Sequence, residues 1–141
     1  MSKGRIFHLE DKADWIQRVQ NLLGKGFDYY SASSLTDAAQ LFKDLADDGL
    51  KFDIAIIDVS LITDDPHDKQ GFKFIEALEA SGVMLGHSII VLSGYSDVDE
   101  NLRVAFRDYA VIDVFDKGKF KDEKGKLKQK IEQTITQMQS H

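Results

Sequence analysis

The sequence predicts a single α/β domain in which helices cover both faces of a five-stranded parallel sheet. Five short apolar runs alternate with five longer stretches of helical period, and strands joined by helices run parallel with right-handed crossovers. The chain has 141 residues, of which 43% are hydrophobic. This size fits one domain over residues 1–141, with a core from about residue 4 to residue 138. We therefore expect a three-layer, doubly wound fold with five helices.

The first half of the chain contains two predicted strands and two predicted helices. Arg5–Leu9 is a short apolar run, and Asp14–Leu23 has the apolar spacing of a helix. Phe27–Ser31 is typical of a second, more polar strand. Ser34 is the expected N-cap of the next helix, because Asp37 follows it three residues later. The apolar stripe of that helix consists of Leu35, Ala38, Ala39, Phe42, Leu45 and Ala46.

The second half contains the strongest strand signal. Phe52–Asp58 includes four consecutive apolar residues, which indicates burial on both faces of a parallel sheet. The remaining elements are a helix at Gly71–Ala80, a strand at Ser88–Leu92, a helix capped by Ser96, a strand at Val111–Phe115 and a helix from about Asp122 to Gln139. The inner face of the last helix consists of Phe120, Leu127, Ile131, Ile135 and Met138.

The composition excludes several classes of protein. The chain has no cysteine, which excludes a disulfide framework, a thiolate zinc site and a thiol nucleophile. Its net charge of −6 weighs against binding nucleic acid through the whole surface. We find no apolar run long enough to span a membrane and no secretory signal. We therefore expect a cytoplasmic protein with no membrane partner and no direct nucleic-acid partner.

Polar residues follow four of the predicted strands. Glu10 and Asp11 follow the first strand, Asp58 ends the third, Ser93 follows the fourth and Lys117 follows the fifth. The carboxyl ends of parallel strands meet at one edge of the sheet, where ligands of such folds bind. We expect these side chains to lie close together there.

Carboxylates brought together in this way need cations. Two carboxylates about 4 Å apart repel by roughly 4 kcal/mol at an effective dielectric near 20. Lys117 supplies one positive charge, and Mg²⁺, which binds carboxylate, water and phosphate oxygens, would supply two more. A fixed Asp58 beside both has the parts for phosphoryl transfer, namely a nucleophile, a metal and a charge clamp. Ser93 would then hydrogen-bond a new phosphoryl oxygen.

Four motifs, in this order along the chain, resemble those of the response-regulator receiver domain of two-component systems. They are Ile6–Asp11, the strand that ends at Asp58, Ser93-Gly94-Tyr95 and Asp116-Lys117. The resemblance covers about residues 4 to 138. It implies the flavodoxin-like strand order 2-1-3-4-5.

The resemblance also implies a role in a phosphorelay. A histidine kinase or phosphotransfer protein would donate a phosphoryl group from its phosphohistidine to Asp58, with Mg²⁺ as cofactor. The phosphorylated domain would then change its binding to a downstream protein. By position, Asp11 and Asp58 would bind the metal through their side chains, Ser60 through its backbone carbonyl and Glu10 through water. Such a chain is not an enzyme beyond its own phosphorylation and dephosphorylation.

The chain departs from the receiver pattern in three places. Gly118 stands where a proline usually follows the lysine, and Val114 stands where the family usually has its switch aromatic. Phe115 comes one place later, so strand alternation points it to the opposite face. The stretch between Asp58 and Gly71 is several residues longer than usual and includes a polar loop at Thr63–Gln70. We interpret Asp64, Asp65, His67 and Asp68 of this loop as solvated, with a second metal site as the alternative.

Two other functions stay open at this point. A degenerate receiver would bind a partner without phosphorylation, and failure of Asp58 to react with a small phosphodonor would favour it. A Mg²⁺-dependent phosphohydrolase would turn over a small phosphoester, but such enzymes usually carry a second acid where this chain has Ser60. The sequence also leaves open homodimer formation and whether the chain acts alone or belongs to a longer protein.

Three further features have a plain structural interpretation. Half of the fourteen lysines fall between Lys117 and Lys130. Beyond Lys117 we interpret them as the solvated face of the last helix, with docking of an acidic partner as the alternative. His8 and Trp15 are interpreted as packed residues.

Overall fold

Five parallel strands form the sheet of this domain. The computed structural model describes residues 4–58, 80, 88–93 and 111–139. The strands are β1 (Arg5–Leu9), β2 (Asp28–Ala32), β3 (Ile54–Ile57), β4 (Ile89–Ser93) and β5 (Val111–Asp116). They are hydrogen-bonded in the order β2-β1-β3-β4-β5, and all four neighbouring pairs are parallel. The predicted α/β class and strand order are thereby confirmed.

Three helices belong to the described residues. They are α1 (Ala13–Leu23), α2 (Leu35–Asp47) and α3 (Phe120–Gln139). Of the helix predicted at Gly71–Ala80, only Ala80 is described, and it is helical. The helix predicted after Ser96 and the acidic loop at Thr63–Gln70 lie outside the described residues. Among the helices that the structure describes, none combines the length and the hydropathy needed to cross a membrane.

Side chains and glycine fix the ends of the first two helices. The Ser34 hydroxyl accepts a hydrogen bond from the backbone N–H of Asp37 at 3.1 Å, which caps α2 as predicted. The Asp37 carboxylate accepts a hydrogen bond from the Ser33 hydroxyl, also at 3.1 Å. Gly24 follows α1 at a φ of +75°, a conformation that favours glycine, and its N–H donates to the Gln20 carbonyl.

The sheet is buried on both faces. All four residues of β3 are completely buried, as the apolar run predicts. Ile54 and Ile56 pack beneath α1 and α3, whereas Ala55 and Ile57 alternate to the other face. The core beneath α1 and α3 consists of Ile6, Val19, Leu23, Phe27, Ile54, Ile56, Ile90, Leu92, Phe115, Phe120, Leu127, Ile131 and Ile135.

The opposite face carries an aromatic cluster against α2. The Phe7 ring centroid lies 4.9 Å from that of Phe42 and 5.3 Å from that of Phe52. The predicted apolar stripe of α2 is wrong in part, because Ala39 and Ala46 are exposed and Leu35 is 41% exposed. Of the predicted stripe, Ala38, Phe42 and Leu45, spaced four and three residues apart, turn toward the sheet.

Several element boundaries differ from the sequence prediction by one or two residues. β2 begins and ends one residue later than expected. β3 is shorter because the Asp53 carboxylate accepts the backbone N–H of Arg5 at 2.7 Å at the start of the predicted run. α3 begins at Phe120 instead of Asp122, because a 3₁₀ turn at Lys117–Lys119 leads directly into it.

Val114, at the usual position of the switch aromatic in β5, and Phe115, one residue later, lie on opposite faces of the sheet. Phe115 is paired with Leu92, and both belong to the core beneath α3. Val114 is paired with Val91, and both are buried. The predicted alternation is therefore confirmed, and the aromatic ring of Phe115 is committed to core packing.

Candidate functional site

The backbone anchors two acidic residues at the carboxyl edge of the sheet. Glu10 follows β1, and its N–H donates to the Ala32 carbonyl at 3.0 Å. Asp58 follows β3, and its N–H donates to the Leu9 carbonyl at 3.1 Å. Both carboxylates therefore leave the sheet from fixed points on neighbouring strands.

Lys117 bridges the two carboxylates from the end of β5. Its Nζ lies 2.6 Å from Glu10 Oε2 and 2.8 Å from Asp58 Oδ2. The exposed fractions of the three side chains are 8% for Lys117, 0% for Glu10 and 3% for Asp58. Water screens such contacts little, so Lys117 donates a strong charge-assisted hydrogen bond to Asp58 and forms a close ion pair with Glu10. The second Glu10 oxygen accepts the backbone N–H of Lys12 at 3.1 Å.

Asp11 adds a third carboxylate on the solvent side. One oxygen each of Glu10, Asp11 and Asp58 lies within 4.8 Å of the others, and Asp11 is exposed. With Lys117 these groups carry a formal charge of −2, which matches the charge of one divalent cation. Oxygen ligands from one or two carboxylates, completed by water and phosphate, suit Mg²⁺. The residues present therefore fit this metal.

The electrostatics of the site favour a protonated lysine among buried carboxylates. Burial raises the pKa of Glu10 above its ordinary value, and the hydrogen bond and charge of Lys117 oppose that shift. Burial alone would lower the pKa of Lys117, but Asp58 and Glu10 outweigh it and raise that pKa. Lys117 consequently keeps its positive charge at any physiological pH.

A buried histidine lies behind the site. His8 is completely buried, and its Nδ1 lies 2.6 Å from the Tyr29 hydroxyl on the neighbouring strand. Burial, helped by the charge of Lys117, lowers the pKa of His8 to about 3. Burial also raises the pKa of Tyr29. Both residues are therefore neutral near pH 7, and His8 adds no cation to the site.

The tryptophan of α1 covers one side of the lysine. Lys117 Nζ lies 5.2 Å from the Trp15 ring centroid, and Arg18 Cζ lies 4.6 Å from it. The ring also packs edge-on against Phe120 at 5.1 Å. The sequence favoured helix packing over a binding platform for Trp15 and did not predict this cation–π contact. The signal that could have predicted this contact is the position of Trp15, which lies one helical turn after Asp11 in the helix that directly follows Glu10 and Asp11.

Gly118 has a local role that a proline could not fill. The Asp116 carboxylate accepts the backbone N–H of Gly118 at 2.8 Å and caps the 3₁₀ turn that carries Lys117. Proline has no N–H to donate. Glycine in place of the usual proline therefore allows a hydrogen bond that stabilises the turn carrying Lys117.

The structure brings four of the six predicted site residues together: Glu10, Asp11, Asp58 and Lys117. Ser93 is the last residue of β4, and its backbone is paired with that of Asp116 at the same edge. The Ser93 side chain lies outside the described side chains, and Ser60 lies outside the described residues.

Comparison with known proteins identifies the fold. No protein-family model matches the chain, and no curated protein matches it. A signal receiver domain of two-component signal transduction (histidine kinase) from Clostridium thermocellum superposes with a TM-score of 0.71 at 16% identity, over 94% of this chain and 97% of that chain. A signal receiver domain of an HD domain-containing protein from Pseudomonas fluorescens gives 0.68 at 20% identity, over 98% of both chains. A response regulator receiver domain protein from Methanospirillum hungatei gives 0.65 at 16% identity, over 95% of this chain and 98% of that chain. This chain therefore has the fold of response-regulator receiver domains.

Proposed function

We propose that the chain is a phosphoacceptor receiver domain of a two-component phosphorelay. It accepts a phosphoryl group on Asp58 and signals by changing its binding to a downstream protein. The observation that carries this proposal is the bridge from Lys117 Nζ to Glu10 and Asp58 at the carboxyl edge of the sheet. The receiver fold of the similar solved structures supports it.

The transfer needs a nucleophile that is fixed and a cation that is already in place. A carboxylate oxygen of Asp58 forms a bond to phosphorus, while the bond from phosphorus to the donor's imidazole nitrogen breaks and its electron pair returns to that nitrogen. The product is an acyl phosphate on Asp58. Lys117, held protonated by its two carboxylate contacts, offsets the negative charge on the transferring oxygens.

Asp11, Asp58 and the Ser60 carbonyl would hold Mg²⁺, with Glu10 acting through water. The metal, when bound, neutralises charge on the phosphoryl oxygens and lowers the repulsion that an anionic donor meets. Ser93, at the end of β4, would donate a hydrogen bond to a phosphoryl oxygen once it is on Asp58. The donor is a phosphohistidine on a histidine kinase or phosphotransfer protein.

Labelling with a small phosphodonor tests the proposal. Incubation with acetyl phosphate and Mg²⁺ should add one phosphoryl group, seen by intact mass, and peptide mapping should place it on Asp58. EDTA should slow the labelling strongly. Asp58→Ala should abolish it, whereas Asp47→Ala, which removes an exposed carboxylate of α2, should not.

The outcomes separate the three functions. Equal labelling of Asp58→Ala would refute the proposed phosphoacceptor. A folded native protein that takes no label would indicate a degenerate receiver that binds its partner without phosphorylation. Sustained turnover of a small phosphoester would indicate a phosphohydrolase.

A further inference from the structure

A groove runs between α1 and α3, on the side of the domain that covers Lys117. It consists of two adjoining hollows of about 410 and 460 Å³, which share Arg18, Phe120 and Lys124. Leu22 and Lys128 line the outer hollow, and Lys121 lines the one nearer Lys117. We call this surface the α1–α3 groove.

The cations of this groove have few internal partners. Lys121, Lys124 and Lys128 follow each other on one face of α3, and within the described part of the chain none has a carboxylate within 4 Å. Arg18 contacts Asp14 at 3.8 Å, but both side chains are more than half exposed, and such a pair contributes little. The groove therefore presents positive charge to solvent.

The floor of the groove is apolar. Phe120 is 8% exposed, and Leu22 is half-buried at the edge of the core. An occupant that fits must therefore bring both carboxylates for the walls and at least one apolar side chain for the floor. Each hollow has room for one or two side chains.

The charge distribution of the whole chain selects the kind of occupant. Residues 117–139 carry seven lysines against three acidic residues, a formal charge of +4, so the rest of the chain carries −10. A nucleic acid or an anionic membrane would extend its negative charge beyond the groove and meet this acidic remainder. A short acidic segment can lie within the positively charged groove. Salt then screens its repulsion from the acidic rest of the chain wherever the two are more than about 8 Å apart.

We propose that the α1–α3 groove binds an acidic segment of a partner protein, in which glutamate or aspartate residues flank an apolar side chain. The carboxylates contact Lys121, Lys124 and Lys128, and the apolar side chain packs on Phe120 and Leu22. This favours the docking interpretation of the lysine-rich segment over a purely solvated face.

Fluorescence anisotropy with a short labelled peptide of glutamate and leucine tests the proposal on the full chain. The measurement uses no Mg²⁺ and no phosphodonor, so its outcome is independent of the proposed phosphorylation. The groove variant is Lys124→Gln with Lys128→Gln. The control is Lys126→Gln with Lys130→Gln, which removes the same charge from the same helix where it faces β5.

The native chain should bind the peptide, and binding should weaken as salt is raised. The groove variant should bind it about three- to tenfold more weakly, the sum expected for two solvent-exposed charge pairs, while the control should change by less than about twofold. Equal weakening by the two variants would overturn the proposal. Tighter binding of a DNA oligonucleotide or of anionic vesicles, with the same groove dependence, would assign the groove to that class of ligand instead.

Discussion

Lys117→Met isolates the charge balance of the candidate site. The substitution keeps most of the side-chain volume and removes the ammonium that contacts Glu10 and Asp58 at 2.6 and 2.8 Å. It leaves two buried carboxylates side by side, without a counter-charge from Lys117. Removing one partner of a buried ion pair typically costs about 3–5 kcal/mol of unfolding free energy.

The pH sets an upper limit on this cost, because Glu10 can escape the repulsion by taking a proton. The ordinary pKa of a glutamate carboxyl is 4.5. Protonating it at pH 7.5, three units higher, costs about 4 kcal/mol of free energy, because each pH unit is worth about 1.4 kcal/mol. At pH 5.5 the same step costs only about 1.4 kcal/mol. We therefore expect a loss near 4 kcal/mol at pH 7.5 that shrinks by more than half at pH 5.5.

Urea denaturation in EDTA, followed by the fluorescence of Trp15 and by circular dichroism, measures this loss at both pH values. Trp15 is the only tryptophan of the chain, and its ring is 5.2 Å from Lys117 Nζ. Lys119→Met is the matched control, because Lys119 lies on the same 3₁₀ turn and is exposed. It should change stability by less than about 0.5 kcal/mol.

Mg²⁺ supplies a second check on the same variant. Without Lys117 the site has one more uncompensated negative charge, so saturating Mg²⁺ should restore more stability to Lys117→Met than it adds to the native chain. An equal loss of stability by Lys117→Met at pH 7.5 and pH 5.5, or a loss no greater than that of Lys119→Met, would contradict this role of Lys117. A variant that is unfolded at pH 7.5 but folds at pH 5.5 would still support it.

Three further predictions concern His8, Gly118 and the residues that follow β4. The folded pKa of His8, about 3, is below its unfolded value of 6.5, so stability is lost as pH falls from 6.5 toward 3. Between pH 7.5 and pH 5 the native chain should lose about 2 kcal/mol more than His8→Asn, and parallel pH profiles would contradict this. Gly118→Pro removes the N–H bonded to Asp116 and should cost about 1 kcal/mol and slow the labelling of Asp58. Gly118→Ala keeps the N–H but places its Cβ 3.3 Å from Asp116 Oδ1, so it should slow the labelling less than Gly118→Pro does. A beryllofluoride mimic of the phosphoryl group should shift the amide signals of residues 93–102, with Tyr95 as the moving aromatic, and shifts confined to residues that touch the metal would exclude that switch.

The fold could be predicted because its signals are local and repeated. Four consecutive apolar residues in β3 can be satisfied only inside a sheet covered on both faces, and the alternation with helices then forces parallel strands. The start of β3 could not be predicted in the same way. There the Asp53 carboxylate accepts the N–H of Arg5 on the neighbouring strand β1, and the sequence around Asp53 gives no sign of that contact.

The candidate site, too, could be predicted only where chain topology alone determines it. Glu10, Asp58 and Lys117 could be placed together because topology alone brings the carboxyl ends of neighbouring parallel strands to one edge. The contacts behind them depend on tertiary packing. His8 and Tyr29 are 21 residues apart, and only the register of β1 on β2 brings the imidazole to the hydroxyl.

Lys117 and Trp15 join the candidate site to the α1–α3 groove. Lys117 lines the inner hollow while its Nζ contacts Glu10 and Asp58, and Arg18 stands over the same Trp15 ring as Lys117. A divalent cation bound by the carboxylates would add positive charge beside the groove. It would also neutralise part of the carboxylate charge that Lys117 now offsets, which leaves more of the lysine's charge for an anion in the groove. If both proposals hold, coupling between the two bound ligands is reciprocal, and an acidic segment in the groove would raise the affinity of the site for Mg²⁺ by the same factor. Partner binding and metal binding would then be cooperative through Lys117, before any phosphoryl group arrives.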